Sequence, residues 1–180
     1  IGGRLTVVAP SLGIEATLPK IDLRLQVDGS RVRSAARVWI NEGAQPLDLA
    51  IDLDRRLGDG QAYAAATRAD LAAWSPLLRA QGIVAEAGSG RARLWLELRQ
   101  KRVTQVTVDA ALADVALRGA SLADGLAPPR MRFGQMEAQA RWLLSGDGWR
   151  FDAPRLRIGT EGAAQVLDDL AAAGEGGGAA

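Results

Sequence analysis

The sequence predicts a mainly β protein: a curved, antiparallel meander whose sheet forms a groove or packs sandwich-like, with one short helical segment near residues 70–81. Three observations predict it. Apolar and polar residues alternate in steps of two over most of the chain. Turn-forming residues separate the alternating runs. A single segment, around Trp74, carries apolar residues at helical spacing instead.

Leu5 to Ala9 and Leu12 to Leu18 read as weaker strands, and Lys20 to Asp28 as the clearest one. There Ile21, Leu23, Leu25 and Val27 fall on one face, and Lys20, Asp22, Arg24, Gln26 and Asp28 on the other. A helix would scatter those apolar residues around its circumference, whereas a strand gathers them on one side. Asp28-Gly29 supplies a hairpin turn, and the return strand Arg31 to Asn41 sets Val32, Ala36, Val38 and Ile40 against Arg31, Arg33 and Arg37. Leu47, Leu49, Ile51 and Leu53 alternate with Asp48, Ala50 and Asp52, and a weaker strand covers Gln61 to Thr67.

Asp70 to Gly82 breaks the rhythm. It opens on a capping residue, closes on glycine, and places Leu71, Trp74, Leu77 and Leu78 at helical spacing. Pro76 splits it into short turns, because it lacks the donor of a continuous helix. Gly88-Ser89-Gly90 reads as a turn or a bulge that bends the following strand, and no helix follows it to cradle a phosphate. Alternation then resumes. Ala92, Leu94, Leu96 and Leu98 oppose Arg91, Arg93, Trp95, Glu97 and Arg99, and Val106, Val108, Ala110 and Leu112 oppose Gln105, Thr107 and Asp109. Leu122 to Arg130, with its two prolines, reads as a loop. Met136, Ala138, Ala140 and Trp142 form the next face, followed by the short pairs Trp149 with Phe151 and Leu156 with Ile158. Beyond residue 160 the pattern fades. Residues 161–180 read as a weakly structured tail, with a weak helix over Ala163 to Ala173 and a flexible, low-complexity end. Residues 1–160 form one domain.

Composition narrows the function classes. A length of 180 residues allows one domain with a real core, and a formal net charge of +1 creates no strong field for nucleic acid or anionic membrane. All but Lys20 and Lys101 of the 22 basic residues are arginine, which together with abundant alanine and glycine fits a GC-rich genome. The absence of cysteine removes disulfides, thiol nucleophiles and thiolate metal sites. The absence of histidine removes the imidazole base and the usual zinc ligand. These absences speak against enzymatic chemistry and imply no cofactor. No apolar run approaches the ~20 residues of a membrane-spanning helix. The opening Ile1-Gly2-Gly3-Arg4, in mid-pattern and without methionine, is read as part of a segment of a longer protein whose targeting and anchoring signals lie outside it.

The order of features resembles a known family. Alternating strands lead into Gln61-Ala62-Tyr63-Ala64-Ala65-Ala66-Thr67-Arg68-Ala69-Asp70-Leu71, then Trp74 and Leu77-Leu78. Gly82 and Gly88-Ser89-Gly90 precede Leu94-Trp95-Leu96, and Ala140-Arg141-Trp142 and Gly148-Trp149-Arg150-Phe151 close the block. Over roughly residues 4 to 160 this is similar to the β-rich periplasmic region of YhdP-type proteins in the AsmA-like superfamily. The resemblance implies a periplasmic segment of a protein anchored in the inner membrane, with no catalytic residues. It also implies phospholipid acyl chains as cargo, carried between the inner and outer membranes along an apolar β-groove. The other partners it implies are the membrane anchor and adjacent β-rich segments of the same chain. The alternative is a closed β-sandwich serving as a structural or interaction domain of an envelope protein.

Ile21, Leu23, Leu25, Val27, Leu49, Ile51, Leu94, Leu96, Val106 and Val108 are the candidate groove-lining residues; the competing reading makes them an ordinary closed core. A groove for acyl chains needs no polar motif, since each buried methylene contributes roughly 0.8 kcal/mol. Trp39 and Trp95 share the polar face with arginines and could mark a second packed surface, a partner contact or a membrane-interface contact; the competing reading is that the strand faces are simply not pure. The rows Arg31, Arg33, Arg37 and Arg91, Arg93, Arg99 suit lipid phosphates, but alternating arginine also makes a solvated face that blocks edge aggregation. Asp48 and Asp52 lie ~13 Å apart along one strand, too far for a glycosidase pair at ~5 to 9.5 Å. Asp52, Asp54 and Asp59 lack the spacing of a calcium loop.

Overall fold

The computed structural model describes residues 2–9, 14–40, 45–73, 83–119, 129–160 and 163–175. These build one ten-stranded antiparallel sheet in which every strand pairs with its sequence neighbours. The strands are β1 (Gly2–Ala9), β2 (Ile14–Asp28), β3 (Arg31–Trp39), β4 (Leu47–Asp54), β5 (Asp59–Asp70), β6 (Ile83–Arg99), β7 (Arg102–Gly119), β8 (Arg130–Leu144), β9 (Gly148–Thr160) and β10 (Ala163–Glu175). The sheet is open, and among the described residues there is no second sheet, so the sandwich-like arrangement is not the one adopted.

Several expected short strands are joined into long ones. Leu12 to Leu18 and Lys20 to Asp28 belong to the single strand β2. Pro19 sits where the β1–β2 register shifts between Gly3 and Leu5, the irregular position at which a missing donor is tolerated. Likewise Trp149, Phe151, Leu156 and Ile158 share β9. Its Pro154 lies where the β8–β9 register shifts between Gln139 and Arg141. The Gly88-Ser89-Gly90 step is a bulge inside β6, with register shifts against β7 on both sides of Ala87. Gly90 has φ +150, and a Cβ there would run into the carbonyl oxygen of Ala111, so the strands can approach only with glycine at this point.

The weak helix expected over Ala163 to Ala173 is corrected: these residues form β10, paired with β9 along its length. Leu167 and Leu170 look helical because they are three apart. In the sheet they face Leu156 and Ala153, and Asp169 at φ +55 absorbs the odd residue between them. Pairing with the edge of β9 overrides the helical preference of an alanine-rich run. Of the expected helical segment, residues 71–73 are helical, with Asp70 Oδ1 accepting from the N–H of Ala72 at 3.1 Å and of Ala73 at 3.3 Å. The remainder, including Trp74 and Pro76, lies outside the described residues, as does most of the expected loop before Arg130.

The turns and the charged face fix the register. Gly29 at φ +56 opens the two-residue β2–β3 turn. Asp54 closes the β4–β5 turn, accepting from the N–H of Leu57 at 3.0 Å, the Ser30 hydroxyl at 2.9 Å and the N–H of Arg56 at 2.8 Å. These bonds, the Leu57 N–H foremost, hold its carboxyl below the ordinary 3.8. Asp52 is likewise lowered, first by its hydrogen bond with Arg31 (2.6 and 2.8 Å), and Asp152 first by Arg150 (2.9 Å). The β6–β7 turn is formed by Gln100 and Lys101, both at positive φ, and docks on the β4–β5 turn through Lys101 N–H to Gly58 oxygen at 2.8 Å.

Two outcomes follow. Replacing Gln100-Lys101 by Asn-Gly supplies the residues this turn favours and should raise unfolding stability by about 1 kcal/mol, read by urea denaturation; a drop would show that the Lys101 side chain matters more than its backbone. The three carboxyls have depressed folded-state values, so their contribution is present above the unfolded value and lost as pH falls through the folded one. The melting temperature should therefore hold near neutral pH and decline below about pH 4, with a shallower decline in Asp54→Asn.

Candidate functional site

The pairing register decides where the candidate residues lie. Paired residues in an antiparallel sheet share a face. Leu23 pairs with Ala36, Ala36 with Leu49, Leu49 with Ala64, Ala64 with Leu94, Leu94 with Val108 and Val108 with Ala140. A second row runs from Leu25 through Ser34, Ile51, Ala62, Leu96, Val106 and Trp142 to Phe151. Ile21 pairs with Val38 and Val27 with Val32, flanking these rows. All ten candidate residues thus lie on one face of one sheet.

That face is unevenly covered. In the amino-terminal strands it is open: Leu23, Leu25, Val27 and Ile51 are 46, 59, 53 and 45% exposed. Farther along it tightens into a cluster of Leu71, Ala85, Ala110, Leu112 and Val115, against which Phe133 and Met136 pack. Leu71, from the helical turn after β5, lies directly over Gly88, where a Cβ would stand 2.7 Å from its Cδ1. The face also extends beyond the expected residues. Val115 pairs with Phe133, Leu117 with Met131, and Leu144 with Trp149. Sequence alternation misses Val115 and Phe133 because Val115 lies three positions after Leu112 and Phe133 three positions before Met136. Asp114 at φ +52 takes up the extra step in β7.

The opposite face is polar, and its charges are mostly spoken for. Arg31 and Arg33 both reach Asp52, Arg37 reaches Asp48 at 3.1 Å, Arg91 reaches Asp109 at 3.3 Å and Arg99 reaches Asp59 at 3.5 Å. Five of the six arginines in the two rows therefore act as cross-strand partners of aspartates, while Arg93 makes no ion pair among the described residues. Asp48, Asp52 and Asp54 are each engaged in this way or in a turn. Among the described residues no group of three or more His, Cys, Asp or Glu could hold a metal ion. Trp39 lies beside Lys20, whose Nζ stands 4.0 Å from the ring centroid, and Trp95 pairs with Tyr63. Trp142 belongs to the apolar face, its ring centroid 4.4 Å from that of Phe151, and Trp149 lies over Gly174.

The described carboxylates Asp48, Asp52 and Asp54 stand as partners of arginines and turn donors. What the arrangement offers is a continuous apolar surface crossing all the central strands. With strands ~4.8 Å apart, ten of them span about 43 Å across the pairing direction, longer than the ~30 Å hydrocarbon core of a bilayer. No helix of the described residues is long and apolar enough to cross a membrane. Comparison with curated proteins and with solved structures gives no match. The model of the family described as YhdP protein matches residues 12–177. A match over nearly the whole chain, on an open sheet of this kind, places it: the chain belongs to the YhdP family, an AsmA-like group of bacterial envelope proteins.

Proposed function

We propose that this chain is a non-enzymatic stretch of a lipid path, along which phospholipid acyl chains move between the inner and outer membranes. The observation that carries the reading is the uncovered apolar row on a sheet with no second layer among the described residues. Large side chains such as Leu25 and Ile51 stand in it more exposed than a stable soluble face tolerates without a cover. An acyl chain laid across the row covers it and is itself removed from water, at roughly 0.8 kcal/mol per methylene. Successive strands offer chemically similar side chains, so a tail can slide without leaving a deep well. The working location is the periplasm, with an inner-membrane anchor and adjoining β-rich segments of the longer protein continuing the surface. The polar face, with arginines such as Arg37 and Arg91 paired with aspartates, would keep the other side wet.

A photo-crosslinking residue placed at Leu23 or Leu96 in the full protein in cells should capture phospholipid, identified by mass spectrometry of the adduct. Placing Leu25→Asp and Ile51→Asp together across the row should cut capture at Leu96 severalfold, since each buried carboxylate costs on the order of 2 kcal/mol or more. Both positions are already exposed, so the sheet should survive. Absence of adducts at every position of this face, or unchanged capture in the double variant, would overturn the reading.

A further inference from the structure

The polar face carries a feature that solubility does not require. Tyr63 and Trp95 are cross-strand partners there, with ring centroids 5.4 Å apart and planes tilted by 45°, and Trp95 is 37% exposed. The tilt leaves neither ring fully covered by the other. Beside Tyr63, across β4 and β3, the same row continues as Ala50 and Ala35, whose small side chains leave a depression.

Hollows adjoin the pair on both sides. One of about 640 Å³ and one of about 410 Å³ meet at Ala50 and Tyr63. The second touches a hollow of about 340 Å³ at Asp52, Gln61 and Glu97, and one of about 660 Å³, reaching Leu170, at Thr107. Together they form a shallow trough across the strands from β2 to β10, about 38 Å long at ~4.8 Å per strand. A trough of that length suits a polymer better than a single small molecule.

We propose that this trough is a glycan-binding site that takes a strand of pyranose rings, with Tyr63 and Trp95 at its centre. Pyranose C–H groups carry partial positive charge and suit the negative face of an aromatic ring. Gln61, Glu97, Gln105 and Thr107 surround the pair and offer the donors and acceptors that hydroxyl and acetamido groups need. Charge argues against a polyanion. Most arginines along the trough are held by carboxylates, Arg33 by Asp52, Arg37 by Asp48, and Arg141 with Arg150 by Asp152; Arg24 alone of those lining it makes no ion pair among the described residues, and one such charge is no cationic row for phosphate or sulfate. The site faces away from the apolar row, so glycan and lipid would engage opposite sides of the same sheet.

The test is calorimetric titration of the 180-residue chain with an N-acetylglucosamine hexamer. Saturable binding is expected, weakened about tenfold by Trp95→Ala or Tyr63→Ala and partly restored by Trp95→Phe, with Arg157→Ala unchanged. Melting curves identify any variant that has lost its fold; for such a variant Trp95→Phe, which keeps a ring in place, supplies the comparison with the wild type. No binding at millimolar hexamer, affinity indifferent to both Trp95 variants, or preference for inorganic polyphosphate would overturn the proposal. So would sedimentation showing that Trp95 is buried by a second copy of the chain.

Discussion

Register is the constraint on which everything else depends. Side chains in a strand alternate faces, so a slip of one residue between any two neighbours would carry an apolar row onto the charged side. Ten strands in sequence order give nine opportunities for such a slip. The chain meets them with local devices. A two-residue turn at Gly29 sets β2 against β3, Asp54 ties the turn between β4 and β5, and the Gln100-Lys101 turn leans on Gly58. Opposite charges facing each other across the strands then penalise a shifted pairing, because a slip of one residue would set Arg33 against Ile51 or Leu53, and Arg37 against Leu47 or Leu49, in place of Asp52 and Asp48.

Where the apolar residues fall out of step, the backbone corrects for it. The spacing from Leu112 to Val115, and from Leu167 to Leu170, is three, and Asp114 and Asp169 at positive φ take up the surplus residue. Asp is among the few residues that tolerate this conformation. The glycines of β6 and the proline in β9 fall at the same kind of irregularity. Such bulges bend and twist a sheet locally, and they preserve the division into one greasy and one charged side along strands of up to 18 residues.

Much of this was legible in the sequence. Strict alternation in Ile21 to Val27 and in Leu94 to Leu98 identified both the strands and their faces, and the register leaves every one of the ten candidate positions on one side. Strand ends and joins were less legible. Pro19 and Pro154 look like breaks in a linear reading, yet each occupies a bulge inside a longer strand. The last strand was hidden because its alanines and the Leu167–Leu170 spacing imitate a helix; only the neighbouring edge of β9 makes it a strand. The pairing of Tyr63 with Trp95 was out of reach for a different reason: two residues 32 positions apart meet only once the β5–β6 register is known. The lipid reading rests on no motif at all, since a surface that binds through methylene burial has none to show.

The chain contains no cysteine, so single cysteines bearing a polarity-sensitive fluorophore report one position at a time. Labels at residues 22 to 25 and 93 to 96, read with and without phospholipid vesicles, test most directly whether one side of the sheet is a path for acyl chains. The account expects a blue shift at Leu23, Leu25, Leu94 and Leu96 and none at Asp22, Arg24, Arg93 and Trp95. Equal shifts at neighbouring positions, or no shift at any of them, would contradict it.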